Sequence, residues 1–363
     1  MKIYVYPADV DGCGYYRLIW PAQALQMQGH DVTIVWPKQR NVGQDPKLQI
    51  TGDVEMMTRK LVQVHYPEDA DIIVMQRVAN KVLCQAIEQM RANGTTVVVD
   101  MDDDLTSIDP WHPARWWLDP KNELENSWEA ASYAAKHATL VTVSTPALLP
   151  TYAPRGNGVV LYNHVLREMA DVERIDNRRF GWTGSLHSHP RDPQVVGPAV
   201  QRLVREGFEF AMIGNPKGIN TGHNNPLTVR EAFLLDEDPW TTGPVPTKDW
   251  AAALMNLYVG IAPLSDTKFN RAKSWLKPLE LAALGIPCVM SSVPEYQRIK
   301  RRGIGVVAVQ PRDWYRQVKR LLTDEVWHKE VAERSLEAAR KLVLEDNAWR
   351  WLEAWTHAYE LDH

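Results

Sequence analysis

The sequence predicts an α/β chain built as two doubly wound halves that face each other across a cleft. Three observations carry this. Short apolar runs such as "TTVVVDMD" (95–102) and "LYVGIAPL" (257–264) are continuous, not alternating, as strands buried on both faces of a parallel sheet must be. Longer helical stretches separate these runs, which gives a strand–helix–strand series. The series occurs twice, on either side of a polar stretch at 166–177.

The elements follow in order. "KIYVY" (2–6) reads as a strand and "YRLIWPAQALQMQGH" (16–30) as a helix closed by Gly29. "DVTIVW" (31–36), "ADIIVMQ" (70–76), 95–102 and "ATLVTVST" (138–145) read as strands, with helices at 80–94 and 126–138 between them. "GVVLYNHV" (158–165) closes the first series. The second holds "RFGWTGS" (179–185), a helix near 192–206, "FEFAMIG" (208–214), 257–264, a helix starting between Ser274 and Pro278, "PCVMSS" (287–292) and "GVVAVQ" (305–310). Residues 312–361 read as helical, with Trp349, Trp351 and Trp355. The expected organisation is a first Rossmann-like domain at 1–165, a linker at 166–177 and a second Rossmann-like domain at 178–325. Helices at 326–363 are candidates to cross back to the first domain. Ligands of such folds bind at the carboxyl ends of the strands, here in the cleft.

Composition narrows the function classes. The 363 residues carry a net charge of −4, so no global field attracts nucleic acid or an anionic membrane. Residues 1–165 hold 14 Lys and Arg against 19 Asp and Glu, and the remainder 27 against 26, so the first half is the acidic one. Cys13, Cys84 and Cys288 share no metal or redox spacing, which fits a reducing compartment. No signal peptide and no bilayer-spanning apolar run are read, so a cytoplasmic protein of a bacterium or a phage-infected cell is expected. The oligomeric state is not legible.

Residues 269–289, "FNRAKSWLKPLELAALGIPCV", concentrate the chemistry. Leu276, Leu279, Ala283 and Leu284 can pack on a sheet. Lys273, Lys277 and Glu280 share the other face at the helix N-terminus. Free backbone N–H groups, the positive dipole end and two ammonium groups there suit a diphosphate. A carboxylate one turn away can accept hydrogen bonds from ribose hydroxyls. The alternative is a solvated first turn whose charges serve solubility.

With those residues in view, 245–296 resembles the nucleotide-sugar-binding half of GT-B glycosyltransferases, in particular the retaining family-4-like group of phage and O-antigen type. Asn270, Lys273, Ser274, Lys277, Glu280, Gly285 and Pro287 match its pattern. The resemblance implies that Glu280 holds the donor ribose and that Lys273 and Lys277, with Arg271 as a lesser candidate, neutralise the diphosphate. It places Pro244 and Val245 near the nucleobase, and Gly184 and Ser185 near the diphosphate, with His187 and His189 in the same loop. "DGCGYYR" (11–17) resembles the acceptor-side loop, which makes Gly12, Gly14, Tyr16 and Arg17 cleft candidates. Arg17, at the following helix start, could reach the donor phosphate across the cleft; the alternative is a surface arginine. The acid position of the family's paired-glutamate signature is Ala272 here.

Other candidates come from the acids and aromatics. Asp100, Asp102, Asp103 and Asp104 end a strand facing the cleft. Asp102 and Asp103 are read as sugar or acceptor contacts; a divalent cation or a helix-capping cluster is the alternative. His112 is a candidate for the donor sugar. Trp111, Trp116 and Trp117 could stack on an acceptor sugar or base, or pack the loop down.

The expected function is transfer of a hexose, glucose-type, from a nucleotide-diphospho-sugar (a UDP-sugar is favoured) to an acceptor hydroxyl with retention and without a required metal. The acceptor is a glycan, a lipid-linked sugar or a protein. The alternatives are a phage-type enzyme glycosylating 5-hydroxymethylated pyrimidines in DNA, a nucleotide-sugar 2-epimerase, and a non-catalytic nucleotide-sugar-binding protein. For DNA the acidic first half counts against, while Lys38 with Arg40 and Arg59 with Lys60 offer basic patches.

Overall fold

The computed structural model describes residues 1–37, 51–58, 60–172, 175, 177–218 and 227–363. Lys38, Arg40 and Arg59 lie outside the described residues.

The first half contains β1 (Ile3–Tyr6), β2 (Val32–Ile34), β3 (Thr51–Val54), β4 (Leu61–His65), β5 (Ile72–Gln76), β6 (Thr96–Met101), β7 (Leu140–Val143) and β8 (Gly158–Val160). The second contains β9 (Phe180–Ser185), β10 (Phe210–Asn215), β11 (Trp240–Thr241), β12 (Val259–Ala262), β13 (Cys288–Ser291) and β14 (Val306–Ala308). Two six-stranded sheets result, ordered β2-β1-β5-β6-β7-β8 and β11-β10-β9-β12-β13-β14. Every pairing in both is parallel. Strand order reverses beside β1 in one sheet and beside β9 in the other, so the loops after β1, β5, β9 and β12 diverge there and leave room for a ligand.

The apolar runs are strands because both their faces are covered. Val97, Val98 and Val99 of β6 are fully buried, as are Val259 and Ile261 of β12. Asn80 caps the helix Lys81–Ala92 by accepting from the Val82 and Leu83 amides at 2.9 and 3.1 Å. The helix Leu276–Ala283 starts where Pro278 allows and rests on β12 at Gly260, where a Cβ would come within 2.4 Å of Leu281 Cδ1. That close approach fixes the height of the helix over the sheet.

Three local readings change. The stretch 16–30 is not one helix: a π-helical turn, Tyr15–Ile19, precedes Trp20–Met27. β3 and β4 form an antiparallel hairpin that the sequence did not announce. The helix expected from 192 starts at Gly197, after a 3₁₀ turn at Asp192–Val195.

The last helix, Trp349–Asp362, packs on the first sheet. Trp351 and Trp355 are buried with Ile3, Val5, Ile72, Val74, Val98 and Leu140. Trp351 Nε1 donates to the Arg17 carbonyl at 2.9 Å, and Asp362 accepts from Arg91 at 2.8 Å. The halves also trade side chains elsewhere: Phe269 and Ala272 sit in the first sheet's core, and Tyr16 in the second's. Among the described residues no helix is long and apolar enough to cross a membrane.

Candidate active site

The segment after β12 builds the site. Thr267 accepts from the Asn270 amide at 3.1 Å and caps a short helix, Lys268–Arg271; the chain then turns into Leu276–Ala283. Lys277 and Glu280 stand on the first turns of that helix; Glu280 is buried in the junction, and Lys277 is half-buried with its Nζ shielded from solvent.

Lys277 Nζ is buried without a hydrogen-bond partner among the described residues and lies over the Trp182 ring, 5.1 Å from its centroid. A Cβ at Gly184 would stand 3.0 Å from Nζ, so only glycine leaves the ammonium its place; the φ of 135° there also favours glycine. Burial, with the Lys273 charge adding to it, lowers the Lys277 pKa to about 8 against the pull of Asp192 and Glu280.

Glu280 Oε1 accepts from Tyr16 Oη at 2.7 Å and from Trp250 Nε1 at 3.0 Å; Oε2 has no partner among the described residues. Burial raises its pKa to about 7, and the Tyr16 and Trp250 bonds and Lys277 restrain the rise. Tyr16 therefore reaches across the junction to orient this carboxylate. A Tyr16→Phe protein, followed by carbon-13 NMR of labelled glutamate, should show the Glu280 titration displaced upward from about 7. A titration that stays or moves down would contradict the bond's role.

Opposite lie the acids. Lys273 Nζ pairs with Asp103 at 2.9 Å and sits over the Phe269 ring at 4.3 Å. Arg77, directly after β5, grips Asp102 through both carboxylate oxygens, reaches Asp103 at 3.3 Å and contacts Cys13 Sγ at 3.1 Å. Burial, the largest single influence, works to raise the Asp102 carboxyl, but the Arg77 charge and hydrogen bonds, joined by the Arg17 and Lys273 charges, together hold it below its ordinary value. Arg77 has a φ of 51°, a left-handed conformation uncommon for a side-chain-bearing residue. Asp104 caps the turn Leu105–Ser107 through Thr106 and Ser107, and Lys268 lies 3.4 Å away. Among the described residues no group of three or more His, Cys, Asp or Glu side chains could hold a metal.

His112 Nδ1 accepts from the Ala114 amide at 3.1 Å, which leaves the Nε2–H tautomer as a donor. Burial, then the Lys273 charge, lowers its pKa to about 3, so the ring is neutral. Trp111 is 43% exposed and lies under Arg191, 4.4 Å from its ring, and Arg191 pairs with Asp109 at 3.4 Å. Pro244 and Val245 occupy the loop after β11, which Thr242 ties to Gly214 by accepting its amide at 3.0 Å; Gly214 is packed on Gly184. Ser185 accepts the His189 amide at 3.1 Å, and His187 is half-buried.

The expectation for Arg17 is corrected, and Gly14, Asn270, Arg271 and Ser274 are engaged within the protein itself. Arg17 does not reach toward a phosphate: it is fully buried in the first half, bidentate to Asp100 at 3.0 and 2.8 Å, with the Leu161 carbonyl and Asn163 Oδ1 taking its remaining donors. Gly14 is needed for a turn, since a Cβ would overlap the Asp9 carbonyl at 1.9 Å, whereas at Gly12 a Cβ would meet nothing within 4 Å. Asn270 spends its amide nitrogen on Asp192 at 2.7 Å and on Ser265, tying two loops together. Arg271 is exposed and bidentate to Asp266 at 2.6 and 2.9 Å. Ser274 accepts from Asn163 at 3.1 Å, a bond between the halves.

Sequence reasoning missed Arg77, Trp182, Asp192 and Trp250. Arg77 had one signal, a cation immediately after an apolar strand in "IIVMQR". The others act through contacts that no local pattern announces.

Two facing sheets of this topology, with the site at their switch points, make the fold GT-B. Solved structures agree. Sucrose-phosphate synthase from Thermosynechococcus elongatus is 12% identical with a TM-score of 0.65, over 99% of this chain and 100% of that one. HepE from Anabaena in complex with UDP is 13% identical with a TM-score of 0.63, over 98% and 100%. An α-glucosyltransferase in complex with UDP-glucose and DNA containing an abasic site is 13% identical with a TM-score of 0.57, over 96% and 97%. Neither a family model nor a curated protein sequence matches the chain.

Proposed function

We propose that the protein is a glycosyltransferase that moves a hexosyl group, glucose-type, from a nucleotide-diphospho-sugar to an acceptor hydroxyl. The observation that carries this is the buried Lys277 ammonium against Gly184, three residues before a buried carboxylate; among the described residues the ammonium has no hydrogen-bond partner and one carboxylate oxygen has none. A buried cation without a partner is costly and is relieved by an anion. The diphosphate takes that place, and Glu280 Oε2 accepts from the ribose. Pro244 and Val245 border the base, and Ser185 and His187 border the diphosphate. Residues 1–165 and 178–325 act as the two domains, joined through 166–177, with 326–363 bracing them. UDP-glucose is the favoured donor, since solved neighbours carry UDP and UDP-glucose.

In the reaction the bond from the anomeric carbon to the phosphate oxygen breaks and its electron pair stays on the phosphate. Lys277 and the helix N-terminus stabilise that charge. Lys273 shifts from Asp103 to the diphosphate, which frees Asp103 for the acceptor. His112 Nε2–H donates to a sugar hydroxyl. With retention, the acceptor's proton passes to the leaving phosphate and no side-chain base is required.

The acceptor is a glycan, lipid-linked sugar or protein. A second reading, a base in DNA, is favoured by Trp116 and Trp117, 56% and 57% exposed and edge-to-face at 4.8 Å, which suit base stacking. Adding Lys273→Ala and Glu280→Ala to a UDP-glucose consumption assay should cut turnover about a hundredfold or more, with exposed Arg271→Ala unchanged. Equal turnover in all four proteins would remove this site. Release of UDP only when acceptor is present separates transfer from epimerisation.

A further inference from the structure

His189 is not used by the mechanism above, yet it is placed for it. Its Nδ1 is held by Asp192 Oδ2 at 2.8 Å. Asp192 is itself fixed by the Ser265 amide and hydroxyl at 2.8 and 2.9 Å and by Asn270 Nδ2 at 2.7 Å. Such a carboxylate accepts Nδ1–H and leaves Nε2 as the working nitrogen. The His189 ring packs edge-on against Trp182, with centroids 6.5 Å apart, and Lys277 Nζ covers the same indole at 5.1 Å. Among the described residues Trp182 Nε1 is buried without a hydrogen-bond partner, as is Lys277 Nζ. An imidazole, an ammonium and an indole N–H thus gather around one side chain, next to a loop in which Gly184 leaves no side chain in the way.

We infer that His189, aimed by Asp192, is a second ligand of the leaving diphosphate and takes up a proton when the donor binds. This rests on the nucleotide-sugar reading of the same site. Free, the ring is neutral: burial, then the Lys277 charge, lowers its pKa to about 4 against the support of Asp192, and Lys273 adds to the lowering. His112, from the first half, and His187, beside it on the loop, also lie in this field; His112 responds to the charge of both. Bringing in a diphosphate reverses the balance. The ring then carries protons on both nitrogens, donating Nδ1–H to Asp192 and Nε2–H to a phosphate oxygen. Binding coupled to proton uptake weakens as pH rises above the pKa of the bound ring.

The test is calorimetric titration of the full chain with UDP-glucose from pH 5.5 to 7.5 in buffers of different ionisation enthalpy. Each phosphate of UDP-glucose keeps one fixed charge over this range. Wild type should take up protons, with Kd rising as pH rises. His189→Asn keeps an amide donor for Asp192 and removes only the Nε2 function. It should take up fewer protons than wild type across this range, Lys277 and Glu280 keeping their own share, and bind about tenfold weaker or worse. Asp192→Asn, which removes the imidazolium's partner, should lower the uptake as well. If His189→Asn binds UDP-glucose with wild-type Kd and wild-type proton stoichiometry, His189 is no ligand, and the donor reading stands. If wild type binds inorganic pyrophosphate but not UDP-glucose, and His189→Asn loses it, His189 stands and the donor reading falls. If wild type binds neither, both fall.

Discussion

Lys277→Met should make the protein more stable and unable to hold a donor. At neutral pH the unfolded chain carries a charged lysine, while the folded chain must bury that charge against a pKa of about 8. The displacement from the ordinary value of 10.5 corresponds to a cost of about 3 kcal/mol. The sign follows from proton binding: between pH 8 and 10.5 the unfolded state holds the extra proton, so stability rises with pH there, and the full penalty applies below pH 8. Methionine keeps the unbranched stem out to the lysine Cε, omits the ammonium and removes the penalty, so urea unfolding at pH 7 should show a gain approaching about 3 kcal/mol. Donor affinity should fall at least a hundredfold, because the diphosphate loses its buried counter-ion. A protein that is destabilised, or that still binds UDP-glucose normally, would contradict this account of Lys277.

The second large effect is on stability alone. Arg17→Ala should cost about 3–5 kcal/mol, because it strands the fully buried Asp100 carboxylate. Thr142 Oγ1, at 2.6 Å from Asp100, is the donor that would remain. The loss belongs to the unpaired charge and not to the pair's net worth. Arg17→Met combined with Asp100→Leu should therefore recover most of it, measured by urea denaturation of all three proteins. An Arg17→Ala protein within about 1 kcal/mol of wild type would place this pair outside the core's polar framework.

The contrast between these two cations shows what the sequence could reveal. Both precede or enter a helix beside a glycine-bearing loop. Lys277 was legible because Pro278 marks the helix start and a strand ending in "APL" precedes it, so its position at the N-terminus follows from local chemistry. Arg17 was misread because its partner, Asp100, lies on a strand 83 residues away; nothing local separates an arginine that points into a cleft from one that points into the core. The parallel strands were legible for the opposite reason: burial on both faces leaves a continuous apolar run. The β3–β4 hairpin escaped because its strands carry Asp53, Gln63 and His65 with little alternation. Arg77, Trp250 and Asp192 escaped because their partners, Asp102, Glu280 and Asn270, lie on other elements of the same half, 25 to 78 residues away, and no local pattern pairs them.

The central claim is that a buried lysine awaits the donor's diphosphate. Calorimetric titration with UDP-glucose at pH 8, above the window of His189, tests it most directly. Lys277 is half-charged there, so each donor bound should draw about half a proton from the buffer, and Lys277→Met should draw none. Binding with no proton uptake in wild type, or with the same uptake in Lys277→Met, would contradict it.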